Sequence, residues 1–138
     1  MKISIVSMVF LLLVIASNAS KCNGNCPGGC DTCLCGSRKS IVDIRKWCSK
    51  YKWNQANCEC IMAKESEANA KAVHQNKDGS YDVGLWQIND RNWKACNNER
   101  APCNPRENLR CAKDIYKWGG NTWSLWSTCK VCNACDSP

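Results

Sequence analysis

The chain has 138 residues, 14 of them cysteine, and a formal net charge of +7. That length allows one ordinary domain and excludes two full-sized ones. The positive charge favours contact with anionic polymers, including an anionic bacterial surface. The chain has no arginine-rich run and no nucleic-acid motif, so we expect no nucleic-acid partner, and we expect a monomer.

Residues 1–19 have the pattern of a secretory signal peptide. Lys2 precedes an apolar run from Ile3 to Ala16, and the small residues before Ser20 offer a cleavage site. The alternative is a membrane anchor, but the run is short for a bilayer, which a helix crosses with about 20 apolar residues. We therefore predict an exported protein, either secreted or in a lysosome-like or phagosome-like compartment. Cleavage would remove one lysine and no acid, so the net charge would fall from +7 to +6.

The cysteines suit the oxidising conditions that an exported chain meets. Their even number allows seven disulfides with none left over. Zinc is the alternative, because the Cys-x-x-Cys spacings that begin at Cys30 and Cys132 resemble zinc-ligand spacing. We favour disulfides and predict no metal and no cofactor. Five cysteines crowd residues 20–39, the cysteine-rich extension, so at least one of them must pair outside it. Residues 130–138 form a cysteine-containing tail.

Helical periodicity follows the extension. Ser40 is the expected cap of a first helix, and a second helix is expected from about Asn57 to Ala68. A third helix has Asn104 as its cap, Pro105 at its first position and Gly119-Gly120 as its stop. Its buried stripe comprises Leu109, Ala112, and Ile115 or Tyr116.

A hairpin is predicted between the second and third helices. Asp78-Gly79 is a strong turn signal, and Val83 to Ile88 has the composition of a strand. A last short helix is expected around residues 123–129. The predicted class is α+β, a helix-dominated, disulfide-rich domain over residues 40–129 with one small antiparallel β-hairpin. Three tryptophans are expected in its core, namely Trp86, Trp118 and Trp126.

Two carboxylates lie on either side of the predicted turn. Glu65 is near the end of an apolar helix with Ile61 and Met62, whereas Asp82 is among polar residues of the hairpin. Cleavage of a sugar chain needs an acid, kept neutral by apolar surroundings, to protonate the leaving oxygen. It also needs a carboxylate in a polar setting to stabilise or attack the oxocarbenium-like carbon. The predicted surroundings of the two carboxylates differ in the required way, apolar around Glu65 and polar around Asp82. Glu67, on another helix face, is expected to be solvated.

Around these carboxylates the sequence resembles the c-type lysozymes. Residues 60–66, Cys-Ile-Met-Ala-Lys-Glu-Ser, match that family's cysteine five residues before its catalytic Glu. Residues 76–89 match its Asn-x-Asp-Gly-Ser-x-Asp-x-Gly-x-x-Gln-Ile-Asn hairpin, and the separation of 17 residues between Glu65 and Asp82 is also reproduced. The similarity covers roughly residues 40 to 129. Weaker matches are Arg91-Asn92-Trp93, residues 111–115, and residues 123–129.

The resemblance implies a retaining glycoside hydrolase, antibacterial or digestive in role. It would cut the β-1,4 bond between N-acetylmuramic acid and N-acetylglucosamine in peptidoglycan, with chitin as a second candidate substrate. Glu65 would be the general acid and later the general base, its pKa raised by Trp123 and the helix, and Asp82 the nucleophile or electrostatic stabiliser. The polar platform around Asp82 would comprise Asn76, Asp78, Ser80 and Gln87. The sugar subsites would be lined by Asn89, Trp93 and Trp123. The family pairing also implies a disulfide Cys60–Cys129.

The sequence departs from that family in several places. The segment between Asn89 and Cys111 is much shorter, and Cys111 is expected to pair with Cys96 or Cys103. The extension and the tail have no counterpart. Residues 104–109 resemble lytic transglycosylases, which act on the same bond with a single Glu and release an anhydro-sugar. Two functions without catalysis would also suit the chain: a non-catalytic binding protein on the same fold, and a membrane-active antimicrobial protein.

Overall fold

The computed structural model describes residues 22–137, so the predicted signal peptide lies outside the described residues. Over that range the chain forms four α-helices, two 3-10 helices and a three-stranded antiparallel sheet. The helices are α1 (Ile44–Cys48), α2 (Gln55–Ser66), α3 (Trp93–Asn97) and α4 (Pro105–Trp118), with 3-10 helices at Asp90–Asn92 and Ser127–Cys129. The strands are β1 (Val73–Gln75), β2 (Tyr81–Val83) and β3 (Ile88–Asn89). The helix-dominated α+β class is confirmed, with a third strand added to the predicted hairpin.

Helix α1 begins later than predicted. Ser40 does not cap it, because the Ser40 carbonyl accepts a hydrogen bond from the Ala70 N–H at 2.8 Å and holds the backbone extended. Asp43 is the cap instead, and its carboxylate accepts from the Lys46 N–H at 3.1 Å. This Ser40–Ala70 pairing ties the end of the extension to the segment between α2 and the sheet.

Helix α2 begins and ends two residues earlier than predicted. The Asn54 side chain caps it by accepting from the Asn57 N–H at 3.0 Å. The helix ends at Ser66 because Glu67 has a φ of +51°, a left-handed conformation that no α-helix continues. Glu65 is therefore in the last turn, where the Ser66 hydroxyl donates to the Leu85 carbonyl at 2.9 Å. That bond fixes the end of α2 against the chain between β2 and β3.

The sheet register brings polar side chains together. His74 of β1 pairs with Asp82 of β2, which in turn pairs with Asn89 of β3. Directly paired residues of antiparallel strands project from the same face, so these three side chains share one face of the sheet. Gly84 follows β2 with a φ of +80°, and a Cβ on it would meet the Asn108 side chain at 2.1 Å. Glycine is therefore required where α4 approaches the sheet.

Helix α4 is as predicted. The Asn104 side chain accepts from the Arg106 N–H at 2.9 Å, Pro105 occupies the first position, and the helix ends at Trp118 before Gly119. The predicted stripe is buried. Asn108, which is also buried, donates to the carbonyls of Val83 (2.8 Å) and Pro102 (2.9 Å) and accepts from the Trp86 N–H (3.0 Å). Its amide thus joins the helix to the end of β2.

The main core lies between α2, α4 and the C-terminal segment, around stacked aromatic rings. Trp123 lies 4.9 Å from Trp53 and 5.0 Å from Trp126 between ring centroids. Trp86 and Trp126 are buried as predicted, but Trp118 is 53% exposed, so its predicted core position is wrong. The short helix predicted around residues 123–129 forms only over its last three residues, as the 3-10 helix Ser127–Cys129.

Seven disulfides join all fourteen cysteines, every one of which lies in the described range. They are Cys22–Cys33, Cys26–Cys30, Cys35–Cys103, Cys48–Cys58, Cys60–Cys132, Cys96–Cys111 and Cys129–Cys135. The zinc alternative is therefore wrong, and Cys111 pairs with Cys96. The expected Cys60–Cys129 bond is corrected to Cys60–Cys132. The tail folds back at this point, with the Ala134 N–H bonded to the Cys129 carbonyl at 2.9 Å, so that Cys135 reaches Cys129.

The cysteine-rich extension packs against the sheet as a second, smaller core. Val73 and Val83 form one buried cluster with its cysteines Cys22, Cys26, Cys30 and Cys35. The Val73 N–H donates to the Asn25 carbonyl at 2.8 Å, so the extension also bonds to the start of β1.

Among the helices of residues 22–137, none is long and apolar enough to cross a membrane.

Candidate active site

Glu65 lies half-buried in the last turn of α2, beside the C-terminal segment. Its carboxylate oxygen Oε1 accepts a hydrogen bond from the Thr128 hydroxyl at 2.7 Å. The Ser66 bond to Leu85 holds the turn of helix that carries it. Glu65 is therefore positioned from two sides, through Ser66 by the chain between β2 and β3 and through Thr128 by the C-terminal 3-10 helix.

The surroundings of Glu65 raise its pKa above the ordinary value of 4.5. Burial is the largest cause, because it penalises the charged carboxylate. The hydrogen bond from Thr128 opposes it by stabilising the anion, and the negative charge of Asp82 adds to the rise. Glu65 thus keeps its proton to a higher pH than an ordinary glutamic acid, as a general acid must.

Asp82 lies in β2 with both carboxylate oxygens accepting hydrogen bonds from amide side chains. The Asn76 Nδ2 donates to its Oδ2 at 3.0 Å, and the Asn89 Nδ2 donates to its Oδ1 at 2.8 Å. The two asparagines come from opposite sides, one from the loop after β1 and one from β3. They hold the plane of the carboxylate in a fixed orientation.

A further polar layer supports these asparagines. The Asn76 amide also donates to the Ser80 hydroxyl at 3.1 Å, which itself donates to Asp78 at 2.6 Å. Arg91 forms an ion pair with Asp78 at 2.8 Å. The Ser80 hydroxyl and N–H, followed by Arg91, lower the pKa of Asp78. Asp78 and Ser80 therefore stabilise the hairpin loop, whereas the hydrogen bonds to the Asp82 carboxylate come from the two asparagines.

Two pockets meet at the two carboxylates, and both include Glu65, Asp82, Gln87 and Ser127 in their linings. The first, of about 170 Å³, also contacts Ile88, Asn89, Asn92, Ile115, Leu125 and Trp126. The second is larger, about 660 Å³, and runs along β1 and the end of α2 toward the cysteine-rich extension. Glu65 and Asp82 thus lie in the middle of a groove that continues in both directions.

Gln87 lies where the two pockets meet, and its side chain forms hydrogen bonds with backbone carbonyls. Its amide donates to the carbonyls of Ala72 and Gly84, each at 3.1 Å. Its own backbone has a φ of +48°, a left-handed conformation that is costly for a residue with a side chain. These bonds hold that conformation, so Gln87 shapes the floor of the groove beside Asp82.

The tryptophans are arranged differently from the expectation. Trp123 has no exposed surface and stacks in the core, so its expected place in a sugar subsite is corrected. Trp126 is buried in the core as expected and also lines the first pocket, and its Nε1 donates to the Trp86 carbonyl at 2.9 Å. The reason is local: a turn, not an α-helix, follows Trp123 and directs Trp126 toward the groove. Trp93 donates to the Ile88 carbonyl at 3.0 Å and lines neither pocket.

Several groove residues were missed by sequence reasoning. Thr128, which bonds to Glu65, is separated from it by 63 positions, and no motif joins the two. Asn92 and Ser127 line the first pocket, and Lys39 and Lys64 line the second. The available signal was the match of residues 123–129 to the c-type lysozymes, which pointed to the correct segment and the wrong tryptophan.

Comparisons with known proteins agree with this geometry. The family described as "Lysozyme like domain" matches residues 55–128. Lysozyme C-1 of Anas platyrhynchos is 28% identical over 140 aligned positions, covering 89% of this chain and 86% of that protein. Lysozyme C of Crax fasciolata is 33% identical over 101 aligned positions, which cover 61% of this chain and 75% of that protein. Lysozyme C of Takifugu rubripes is 40% identical over 57 aligned positions, which cover 41% of this chain and 38% of that protein. This chain therefore spans less than half the length of that protein.

Proposed function

This chain belongs to the lysozyme-like domain family, and from that premise we propose that it is a retaining glycoside hydrolase. Its proposed substrate is bacterial peptidoglycan, cut at the β-1,4 bond between N-acetylmuramic acid and N-acetylglucosamine. The observation that carries the proposal is the pair Glu65 and Asp82 in one groove, the first half-buried with a raised pKa and the second held by two amides. That difference between two carboxylates of one groove is what glycoside cleavage requires.

Glu65 would act first as the acid. Its proton passes to the glycosidic oxygen as the bond from that oxygen to the anomeric carbon breaks, so the leaving sugar departs as a neutral alcohol. The raised pKa keeps that proton available at a pH where an exposed glutamate would have lost it. In the second half of the reaction the Glu65 carboxylate would take a proton from water.

Asp82 would act on the anomeric carbon. One of its oxygens attacks as the leaving group departs and forms a covalent glycosyl–enzyme ester, which water then cleaves with net retention of configuration. Asn76 and Asn89 support this role because they fix the carboxylate from two sides. Ser80, together with Asp78 and the ion pair of Asp78 with Arg91, holds the loop on which Asn76 lies.

The groove suits a long sugar chain. The catalytic pair lies between two pockets, so a bound strand would extend in both directions and would be cut internally. Ile115, Leu125 and Trp126 give the first pocket apolar surface for pyranose faces, and Asn89 and Asn92 give it amides for hydroxyl and N-acetyl groups. Chitin, with the same N-acetyl sugar backbone, is the second substrate to test. No cofactor enters this mechanism.

We propose that the protein works outside the cytoplasm. Seven disulfides in a chain of this length suit an oxidising compartment, in keeping with the signal peptide predicted over residues 1–19. The proposed setting is extracellular, or a lysosome-like or phagosome-like compartment, where the protein would attack bacteria for defence or digestion.

The test is mass spectrometry of the soluble products after incubation with purified peptidoglycan. Wild type should release muropeptides with reducing ends, and Glu65→Gln should lose activity by about 100-fold or more, the usual contribution of a general acid. Asp82→Asn should be similarly impaired. Glu59→Gln is the matched control, because Glu59 is on the same helix but lines neither pocket and pairs with Arg45 at 4.0 Å.

Other products would point to other functions. Anhydro-sugar products with an active Asp82→Asn variant would indicate a lytic transglycosylase that uses Glu65 alone. No soluble product from wild type with peptidoglycan or chitin would contradict the enzymatic proposal. Bacterial killing that persists in Glu65→Gln would then favour a membrane-active or binding protein.

A further inference from the structure

The cysteine-rich extension forms one side of the larger pocket. Gly24, Pro27 and Lys39 line that pocket from the extension, while Glu65 and Asp82 close it at its catalytic end. The pocket measures about 660 Å³, and the smaller one about 170 Å³. The larger of the two pockets beside the carboxylates is therefore bounded on one side by the extension, which precedes the residues 40–129 that resemble the c-type lysozymes.

This wall is built into the fold. Asn25, 1% exposed, donates from its amide to the Gly36 carbonyl at 2.8 Å and accepts from the Asn69 amide at 3.0 Å. Its backbone carbonyl accepts from the Val73 N–H at 2.8 Å. The bond Cys35–Cys103 fixes the end of the extension to the segment before α4. These bonds tie the wall to the segment between α2 and β1, to β1 itself and to the segment before α4.

Two lysines face the pocket from different elements. Lys39 of the extension lies across Gly24, where a Cβ would be 3.1 Å from its Cε. Lys64 of α2 immediately precedes Glu65. Both are exposed, and neither forms an ion pair within residues 22–137. Of the acids that line the pocket, Asp82 accepts from two amides and Glu65 from Thr128, and Glu67 forms an ion pair with neither lysine. The two ammonium groups therefore have no ionic partner within residues 22–137 and can receive an anion.

We propose that the extension is a substrate-binding wall, on which Lys39, together with Lys64, binds a carboxylate attached to the sugar strand. In peptidoglycan that carboxylate belongs to the lactyl ether of N-acetylmuramic acid or to its peptide, groups that chitin lacks. The inference rests on the proposed function for its choice of substrate. It adds a source of specificity: the protein should prefer a strand with carboxylates over an uncharged strand of the same sugar backbone.

The experiment measures binding in the inactive Glu65→Gln protein, so that cleavage does not interfere. Calorimetric titration would use soluble peptidoglycan strands that carry peptides and, separately, the N-acetylglucosamine hexamer. Adding Lys39→Gln should raise the Kd for the carboxylated strand about fivefold, the upper end for an exposed ion pair, and leave the Kd for the hexamer unchanged. Lys64→Gln should behave in the same way, and Lys39→Arg should bind like the parent.

Lys117→Gln is the charge control, because Lys117 is an exposed lysine of α4 that lines neither part of the groove. Equal Kd shifts for both ligands, no shift for either, or an equal shift in Lys117→Gln would overturn the inference. So would failure of the parent to bind the carboxylated strand. If the charge-selective shift appears but wild type leaves peptidoglycan intact, the proposed function fails while the binding wall stands.

Discussion

Glu65 and Asp82 differ because of the atoms around each, although both are carboxylates. Around Glu65 burial dominates and only Thr128 donates to it, so the protonated form is favoured. Around Asp82 two asparagine amides occupy the carboxylate oxygens. The same residue type is therefore placed in two different environments, one set by burial and the other by hydrogen-bond donors.

Thr128→Val should move the pH dependence of activity. The hydroxyl of Thr128 stabilises the Glu65 anion, so its removal should raise the pKa of Glu65 further. Because the general acid must be protonated, the alkaline limb of kcat/KM should shift to higher pH. Thr128→Ser keeps the donor and should retain the wild-type profile. An unchanged alkaline limb in Thr128→Val would show that this hydrogen bond does not govern Glu65.

Glu65→Gln should be more stable than wild type at neutral pH. Below the ordinary pKa of 4.5, Glu65 is protonated in both the folded and the unfolded chain, so the two proteins should have similar free energies of unfolding. As pH rises through the raised folded pKa, the unfolded chain releases its proton more readily, and wild type loses stability relative to the variant. Urea titrations at pH 4 and pH 7 would measure this; a stability difference independent of pH would contradict it.

At the scale of elements, the groove depends on two connections. Helix α2 carries Glu65, and the disulfide Cys60–Cys132 joins that helix to the segment that carries Thr128. On the other side, Asn108 joins α4 to the end of β2, next to Asp82. The distance between the two carboxylates is thus maintained by links between elements, none of which is local in sequence.

Tryptic mapping without reduction should show the corrected disulfide pairing. Trypsin cleaves after Lys130, which places Cys129 and Cys132 on different peptides. With Cys129–Cys135 formed, residues 131–138 stay linked to residues 118–130 and, through Cys132, to the peptide that contains Cys60. Release of residues 131–138 as a separate peptide with an internal disulfide would instead support Cys60–Cys129.

Asn108→Ala should destabilise the protein by about 3 kcal/mol, because three hydrogen bonds of a buried amide are lost and their backbone partners are left unpaired. Urea or guanidinium unfolding would measure it. Arg106→Ala, at an exposed position of the same helix, should change the free energy of unfolding by no more than about 0.5 kcal/mol. Equal effects of the two substitutions would mean that Asn108 is not a structural link.

At the scale of the whole molecule, charge and cross-linking set where the protein can act. The chain is basic, at +7, and its disulfides join the extension to the segment before α4 and the tail to α2. A small domain gains stability from such cross-links because they restrict the unfolded chain. The same basic surface would concentrate the protein at anionic bacterial walls.

Binding of the inactive Glu65→Gln protein to whole peptidoglycan should weaken as salt is added. Between about 0.1 M and about 1 M salt the Debye length falls from about 10 Å to about 3 Å, which screens attraction between exposed charges. Binding to insoluble chitin, which is uncharged, should change much less. Co-sedimentation at the two salt concentrations would measure both. Equal salt dependence would argue against a role for the net charge in wall recognition.

Much of the fold could be predicted because its signals are local. The cap Asn104 with Pro105 determined where α4 begins, and the Asp78-Gly79 turn indicated the hairpin. The α1 cap was misplaced because Ser40 bonds to Ala70, thirty positions away. Trp123 was wrongly placed in a sugar subsite, because whether a tryptophan of this segment reaches the groove depends on packing against distant residues; Trp126 lines the groove instead, while it stays in the core.

By itself the sequence determined the helix-dominated α+β class, the even pairing of its cysteines and the choice of Glu65 and Asp82 as the carboxylates to examine. Only the tertiary structure decided that Cys60 pairs with Cys132, that Thr128 bonds to Glu65, and that the extension forms a wall of the groove. The physical reason is range. Caps, turns and helical periodicity depend on neighbours within a few residues, whereas these contacts join distant segments whose meeting depends on how the whole chain packs.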